Sequence, residues 1–157
     1  MRERDTLDVL VVGSGVAGLS AALALAGRRR VLVISKEAGG GGSTLLAQGG
    51  IAASLGLGDS PADHAADTVA AAAGLGDPEV AETVTGEAAD AIAMLSGMGV
   101  RFDTDAPARE GGHGRARVIH ARGDATGHEI SRAMMAAAAE RGVRVASGAF
   151  LVDLLVR

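Results

Sequence analysis

A glycine-rich turn near the start of the chain carries the strongest chemical signal in the sequence. It follows an apolar run and precedes an Ala- and Leu-rich segment, which is the strand, turn and helix context that a dinucleotide fingerprint requires. The first glycine permits the tight turn, the second lets a pyrophosphate approach the backbone, and the third lets the helix pack on the strand. The pattern therefore predicts a pyrophosphate site at Gly13, Ser14, Gly15, Val16, Ala17 and Gly18.

The position that usually contacts the ribose differs from the common pattern. An acidic residue about 20 residues after the fingerprint normally accepts hydrogen bonds from the ribose hydroxyls, but Ser35 and Lys36 occupy that place here. A hydroxyl still bonds a ribose, while the Lys36 ammonium suits a phosphate and tolerates the extra phosphate of NADP. The spacing alone thus leaves FAD, NAD and NADP open.

A second motif combines hydroxyls, an amide and paired glycines just beyond the second predicted strand. It consists of Ser43, Thr44, Leu45, Leu46, Ala47, Gln48, Gly49 and Gly50. The carboxyl edge of a parallel sheet faces the ligand in folds of this type. A flexible loop and a second cofactor clamp are equally compatible with these residues alone.

A third motif is charged. Arg109-Glu110-Gly111-Gly112-His113 is followed by Arg115, Arg117 and His120. One carboxylate among several cations suits an acidic substrate, but a solvated charged loop has the same composition and is favoured on the residues alone. The histidines at 64, 113, 120 and 128 show no metal-ligand spacing, so no metal site is predicted. We expect His64 to lie exposed on a helix face beside Asp67.

The composition excludes several classes of function. The 157 residues are 48% hydrophobic, which is enough for one domain with a buried core. Fifteen basic and nineteen acidic side chains give a net charge of -4, which disfavours binding to nucleic acid or an anionic membrane. There is no cysteine, no apolar run long enough to span a bilayer, and no signal-peptide core in the charged start Met1–Asp8. We therefore expect a soluble, cytoplasmic protein.

The elements that position these motifs are predicted to form an α/β fold with a parallel sheet. Asp8–Val12, Val16–Ala26 and Val31–Ser35 read as a strand, a helix and a second strand, which make one βαβ unit. Glu37–Gly50, with four glycines at 39–42, is predicted to be irregular. A helix from Ser60 to about Ala73 follows, with a serine cap and a proline in its first turn.

The second half of the chain contains further predicted helices and strands. A helix opened by Asp77 and Pro78 is expected to bury one apolar face, made of Val80, Val84, Ile92, Leu95 and Met98. A short strand at Val100–Asp103, an aperiodic connection at Thr104–Gly123 and a helix at Thr126–Arg141 come next. Strands are predicted at Val143–Ser147 and Phe150–Val156.

The motifs, in this order, resemble the N-terminal part of the L-aspartate oxidase family, within the fumarate reductase and succinate dehydrogenase flavoprotein superfamily. The resemblance rests on the turn from Gly13 to Gly18, the stretch from Ser43 to Ala53, Arg109 to His113, and Asp124-Ala125-Thr126-Gly127. It implies a Rossmann-like FAD-binding fold, of which residues 1–157 form the N-terminal part. The rest of that domain, a capping domain and a C-terminal helical domain are then absent from this chain.

The resemblance also implies bound FAD, which the spacing did not decide. It places Ser14 to Ala17 at the pyrophosphate, Lys36 near the adenosine end and Ser43 to Gly50 against the flavin. In the succinate dehydrogenase branch a histidine that holds FAD covalently commonly precedes the threonine of this segment. Ser43 stands there instead, so noncovalent FAD is implied. The catalytic arginine and substrate-binding histidines of the family lie beyond Arg157, so no catalytic residue is expected within this chain, which alone is expected to be inactive.

The implied reaction is oxidation of L-aspartate to iminoaspartate, with oxygen or fumarate as the electron acceptor and H2O2 formed from oxygen, as the first step of de novo NAD biosynthesis. Glu110 is the expected ligand of the substrate ammonium, because relatives that use only dicarboxylates tend to carry an apolar residue there. Quinolinate synthase is a candidate pathway partner. The alternatives are a fumarate reductase or succinate dehydrogenase flavoprotein subunit, and a dinucleotide-binding module without catalysis.

Overall fold

The computed structural model describes residues 6–37 and 41–156, without the side chains of residues 104–106. Residues 1–5, 38–40 and 157 lie outside the described residues, so the predictions for the charged start and for half of the glycine run at 39–42 remain predictions. The chain forms two compact units. The first combines the residues up to Ala47 with those from Gly127 onward, and the second is Gln48–Thr126.

Eleven helices and strands occur in the described residues. In chain order they are β1 (Val9–Val12), α1 (Val16–Leu25), β2 (Val31–Ser35), α2 (Ser43–Leu46), β3 (Ile51–Ala52), α3 (Pro61–Ala71), α4 (Pro78–Gly97), β4 (Asp103–Ala108), β5 (Val118–His120), α5 (Thr126–Glu140) and β6 (Arg144–Ser147).

The first unit contains the predicted parallel sheet. Its strand order is β1-β2-β6, with Val9 opposite Val31 and Leu32 opposite Arg144. Valine and isoleucine dominate β1 and β2, because β-branched side chains fit a pleated surface. Alternate residues of β2 are buried, whereas Leu10 and Val12 of β1 are exposed. Helix α1 buries Leu19, Ala22 and Leu23. The prediction of a βαβ unit opening an α/β fold is confirmed.

The second unit pairs two helices whose starts are as predicted. The Ser60 hydroxyl accepts a hydrogen bond from the Asp63 N–H at 3.1 Å, and the Asp77 carboxylate caps α4 by accepting from the Glu79 N–H at 2.9 Å. The predicted apolar face of α4 is partly wrong, because Val80 and Val84 are exposed. Buried in α4 are Ala81, Thr85, Ile92 and Leu95. Ile92 and Leu95 are buried as predicted, but in the first half of α4 the buried positions lie one residue later, at Ala81 and Thr85. There the Thr85 hydroxyl donates to the Pro61 carbonyl of α3 at 3.0 Å.

The second unit also contains an antiparallel sheet that the sequence did not predict. Its strand order is β3-β5-β4. The predicted strand at Val100–Asp103 is wrong, since Val100 is buried but the strand begins at Asp103. The connection predicted to be irregular, Thr104–Gly123, instead contains most of β4 and all of β5. Polar residues dominate this stretch, and β5 has only three residues, so the sequence shows no strand pattern.

Two further expectations differ from the structure. The predicted strand at Phe150–Val156 is not formed, and its large apolar side chains are exposed. A strand requires a neighbour to pair with, and β6 pairs with β2 while no described strand takes up this segment. The segment Glu37–Gly50, which was predicted to be irregular, contains the short helix α2. Within residues 6–37 and 41–156, no helix is long and apolar enough to cross a bilayer.

Candidate functional site

The fingerprint turn has the geometry that its glycines predict. Gly13 adopts a φ of +104°, in the left-handed region that favours glycine, and its N–H donates to the Ile34 carbonyl at 2.8 Å. A Cβ atom at Gly18 would collide with the Gly13 carbonyl oxygen and lie 3.3 Å from Cγ1 of Val11. Helix α1 therefore packs against the turn and β1 only because residue 18 has no side chain.

Two serine hydroxyls connect the turn to the end of β2. The Ser14 hydroxyl donates to the Ser35 hydroxyl at 2.8 Å, and both side chains are buried. Ser35 occupies the position where an acidic residue usually meets the ribose. The bond fixes the distance between the two backbone segments that border the predicted pyrophosphate and ribose positions.

The N-terminus of α1 faces the second motif. The Val16 N–H donates to the Thr44 hydroxyl at 3.0 Å, and a Cβ atom at Gly15 would lie 3.2 Å from the same oxygen. Gly15 is the N-cap residue and offers no side chain to the first helical N–H groups. These groups carry the positive end of the helix dipole, so the arrangement suits an anion such as a pyrophosphate.

A cavity of about 410 Å³ lies at this turn. Its lining is Gly13, Ser14, Gly15, Ser35, Lys36, Glu37, Gly41, Gly42, Ser43 and Thr44. The structure thus brings the first motif, Lys36 and the start of the second motif to one place. Backbone N–H groups, hydroxyls and one ammonium are donors that suit phosphate and ribose oxygens, so these residues fit a dinucleotide.

The rest of the second motif is divided between the two units. Ala47 accepts a hydrogen bond from the Gly127 N–H at 3.1 Å, and a Cβ atom at Gly127 would collide with the Thr44 carbonyl oxygen. Gly127, the last residue of the Asp-Ala-Thr-Gly motif, therefore packs against the end of α2. Gln48 is exposed, and Gly50 packs so closely on β5 that a Cβ atom there would collide with the Ile119 carbonyl oxygen.

Glu110 lies in a tight turn in the second unit. The His113 N–H donates to the Glu110 carbonyl at 3.3 Å, and the Arg109 side chain donates to the His113 carbonyl at 3.1 Å. Oε1 of Glu110 lies 3.1 Å from Nε2 of His120. The Glu110 side chain is 49% exposed, so its carboxylate is accessible to a ligand while one of its oxygens is held.

A buried cluster of charged side chains, in the same unit as this turn, was not predicted from the sequence. The Arg117 side chain is fully buried and donates to Asp59 at 2.9 and 2.8 Å and to Asp67 at 2.7 Å. Nη1 of Arg117 also lies 3.4 Å from Nδ1 of His113. The Gly114 N–H donates to Asp67 at 2.6 Å. The expectation of a solvated loop is wrong at Arg117, which anchors the loop to α3.

The charges of this cluster stabilise one another. Hydrogen bonds from Arg117 hold the pKa of Asp59 below its usual value, and the Gly114 N–H does so first of all for the pKa of Asp67. The same carboxylates, Asp59 foremost, raise the pKa of Arg117. Both acids are therefore ionised at neutral pH, and they neutralise a guanidinium that has no access to solvent.

His64 lies beside this cluster and is buried, so the prediction that it is exposed is wrong. Its ring meets the His113 ring edge-on, with centroids 5.1 Å apart. Burial lowers the pKa of His64, and the positive charge of Arg117 adds to the effect. The helix pattern predicted the face on which His64 lies but not the loop that covers this face.

Comparison with known proteins identifies similar sequences and folds. A family model described as an FAD binding domain matches residues 8–157. The chain is 50% identical over 155 residues to the L-aspartate oxidase of Streptomyces coelicolor, which covers 94% of this chain and 27% of that protein. It is 46% identical over 149 residues to the L-aspartate oxidase of Mycobacterium tuberculosis, with 90% and 28% covered.

The fold is also similar to that of a solved flavoprotein. The open conformation of a flavocytochrome c3 fumarate reductase superposes with a TM-score of 0.85 and 27% sequence identity over 99% of this chain and 29% of that one. The chain thus spans less than a third of the length of the relatives that it matches. The resemblance inferred from the motifs is confirmed by these similarities.

Proposed function

Because the chain belongs to the FAD binding domain family and its cofactor is FAD, we propose that the protein in its full natural length is an L-aspartate oxidase. Two observations support the proposal. The chain is similar to L-aspartate oxidases along nearly its whole length. It also carries a half-exposed carboxylate at Glu110, which suits a substrate with an ammonium group.

The residues of the first unit are proposed to hold FAD noncovalently. Ser14 to Gly18 and the N-terminus of α1 receive the pyrophosphate, Lys36 lies toward the adenosine, and Ser43 to Gly50 contact the flavin. The chemistry that FAD supplies when bound is acceptance of a hydride from a substrate carbon. Ser43 offers a hydroxyl rather than an imidazole at the position where relatives attach the flavin, so no covalent bond is formed.

Glu110 is the residue on which the choice of substrate depends. L-Aspartate and succinate both carry two carboxylates, but only L-aspartate carries an ammonium. A fixed carboxylate attracts that ammonium, and succinate has no group that gains from the same contact. The single observation that carries this proposal is the accessible carboxylate of Glu110, with one oxygen 3.1 Å from Nε2 of His120, because an oxidoreductase of plain dicarboxylates gains nothing from an anion there.

The proposed reaction can use either of two electron acceptors, O2 or fumarate. L-Aspartate and O2 give iminoaspartate and H2O2, and L-aspartate and fumarate give iminoaspartate and succinate. The reaction opens de novo NAD biosynthesis, with quinolinate synthase as the enzyme that takes up iminoaspartate. We place the protein in the cytoplasm, which is consistent with its lack of cysteine.

The test is a comparison of substrates with the full-length protein. We expect H2O2 formation with L-aspartate in air, and succinate formation from fumarate when L-aspartate is added without oxygen. Oxidation of succinate with no reaction of L-aspartate would instead establish a fumarate reductase or succinate dehydrogenase flavoprotein. No reaction with either substrate, despite bound FAD, would favour a module without catalysis.

The role of Glu110 is tested with the isosteric variant Glu110→Gln. Loss of the charge should raise the KM for L-aspartate about 30-fold, which corresponds to about 2 kcal/mol for a charge pair at a partly exposed site. The inhibition constant of succinate should change less than about 3-fold, because succinate offers no ammonium to Glu110. Equal losses for both ligands would contradict this role.

A further inference from the structure

The Glu110 carboxylate meets one side chain in the described part of the chain, the imidazole of His120. Nε2 of His120 lies 3.1 Å from Oε1 of Glu110. The two residues differ in exposure, since the His120 side chain is 17% exposed and that of Glu110 is 49% exposed. A mostly buried imidazole thus holds one oxygen of an accessible carboxylate.

His120 is fixed by the strand on which it lies. It is the last residue of β5 and pairs with Asp103 of β4. Its neighbours Ile119 and Ala121 are fully buried, and the Ala121 N–H donates to the Thr126 hydroxyl at 3.0 Å. A side chain on such a strand has few alternative positions, whereas Glu110 lies on a turn at the surface.

We propose that His120 is a positioning residue that determines specificity by holding the Glu110 carboxylate in place for the substrate ammonium. The inference rests on the proposed function, because it assigns His120 a role only if Glu110 binds that ammonium. His120 contacts neither substrate nor cofactor in this account. It acts through Glu110.

Preorganisation is the physical basis of this role. A free glutamate side chain samples many rotamers, and fixing it on ligand binding costs conformational entropy. The contact with Nε2 of His120 restricts the side chain in the folded protein and engages one carboxylate oxygen. The second oxygen keeps its lone pairs for the ligand.

A purely structural role is the alternative that must be distinguished. The pair could simply tie the turn to β5, and its loss would then weaken the binding of every ligand and lower the thermal stability. A role in specificity instead requires that only ligands with an ammonium lose affinity. It also requires that another N–H donor of similar reach restores the effect.

The experiment uses the full-length protein with FAD bound and two variants of one residue. His120→Phe keeps the planar ring and removes the donor, and His120→Gln keeps an N–H donor. For each, kcat/KM for L-aspartate is compared with the dissociation constant of succinate from calorimetry. His113→Gln is the control, since it changes the other imidazole of the loop, which lies near Arg117 and not at the Glu110 carboxylate.

We expect His120→Phe to reduce kcat/KM for L-aspartate about 10-fold, through KM rather than kcat, with less than a 3-fold change for succinate. His120→Gln should recover most of the loss, and His113→Gln should leave the ratio of the two ligands unchanged. If His120→Phe does not fold, His120→Ala replaces it in the same comparison.

Three results would overturn the inference. They are equal losses for both ligands, no loss in the variants that lack a donor, and no recovery in His120→Gln. Glu110→Gln, measured beside them, separates this failure from that of the proposed function. If Glu110→Gln loses L-aspartate selectively while the His120 variants do not, only the role of His120 falls. If Glu110→Gln is also unselective, the proposed role of Glu110 falls as well.

Discussion

The two units of the chain build their candidate sites in opposite ways. At the fingerprint turn of the first unit, close packing of glycines and a hydrogen bond between two hydroxyls shape the cavity. At the Glu110 turn of the second unit, a buried guanidinium and its two carboxylates hold the loop. Small residues close together in sequence carry the first arrangement, and charges that are far apart in sequence carry the second.

This difference determines how each site responds to mutation. A backbone cradle fails when a side chain is added, because the added atoms enter space that the ligand or a neighbouring segment needs. A buried ion cluster fails when a side chain is removed, because the remaining charges lose their partners without gaining water. Opposite kinds of substitution therefore test the two units.

The largest effect is expected from Arg117→Met in the second unit. The substitution leaves the carboxylates of Asp59 and Asp67 without their cation, and the Asp59 side chain is only 4% exposed. Breaking a buried pair in this way costs about 3 to 5 kcal/mol of unfolding free energy, measurable by urea denaturation. Arg115→Met, an exposed neighbour, should stay within about 0.5 kcal/mol. Similar stabilities for the two variants would show that the cluster does not stabilise the unit.

The next effect is expected from Gly18→Ala in the first unit. The added methyl group collides with the Gly13 carbonyl oxygen, so α1 must shift away from the turn. We expect a loss of about 2 kcal/mol of unfolding free energy, within the usual range for overpacking. Gly86→Ala is the matched control, since a Cβ atom at Gly86 in α4 meets open space. It should raise stability by about 0.5 to 1 kcal/mol through helix propensity. Equal effects would contradict the close approach at Gly18.

A smaller effect is expected from Ser14→Ala. The variant leaves the buried Ser35 hydroxyl without the hydrogen bond that it accepts from Ser14. Loss of one such bond costs about 1 kcal/mol, again measured by denaturation. Ser96→Ala, at an exposed position of α4, should leave stability nearly unchanged. A Ser14→Ala protein as stable as the native one would mean that this bond does not hold the turn to β2.

The smallest expected effect is a dependence of stability on pH. It sharpens the comparison of the two units, because the titrating groups that cause it lie in the second unit. The native pKa of His64 is lowered, so the folded state favours the neutral ring, and stability is lost as the pH falls below about 6.5. The charged groups that face it, Arg117, Asp59, Asp67 and His113, remain in His64→Phe. That variant should therefore flatten the change in melting temperature between pH 7 and 5. If the melting temperature of His64→Phe falls with pH as steeply as that of the native protein, His64 is not the source of this dependence.

A second loss of stability is expected at lower pH. The native pKa values of Asp59 and Asp67 are both lowered, so these groups contribute stability above about pH 3.9 that is lost as the pH falls through their native values. Thermal melts from pH 5 downward measure it. In Arg117→Met the part due to Asp59 should shrink most, because hydrogen bonds from Arg117 are the main cause of its lowered pKa. Asp67 should keep part of its contribution, because the Gly114 N–H still donates to its carboxylate.

The first unit could be predicted from the sequence because its determinants are local. The bounds of β2 and the turn at Gly13 follow from residues within a few positions of one another, and so do the capped starts of α3 and α4 in the second unit. The rest of the second unit could not be predicted in the same way. Arg117 meets Asp59 and Asp67 across 58 and 50 residues, and no local pattern joins them. β5 was missed because it has only three residues and its two buried ones, Val118 and Ile119, are adjacent, so there is no alternation. The sequence of β4, DTDAPA, shows no alternation of large apolar residues either.

The measurement that tests the account most directly is the visible absorption spectrum of flavin that stays with the protein after desalting. It is recorded for the native full-length protein, Gly15→Val and Glu110→Gln, each mixed with FAD. The account predicts that Gly15→Val loses the flavin, because its side chain enters the space in front of α1 beside the Thr44 hydroxyl. Glu110→Gln should retain it in full. Retention by Gly15→Val, or loss from Glu110→Gln, would contradict the assignment of cofactor binding to the first unit and substrate recognition to the second.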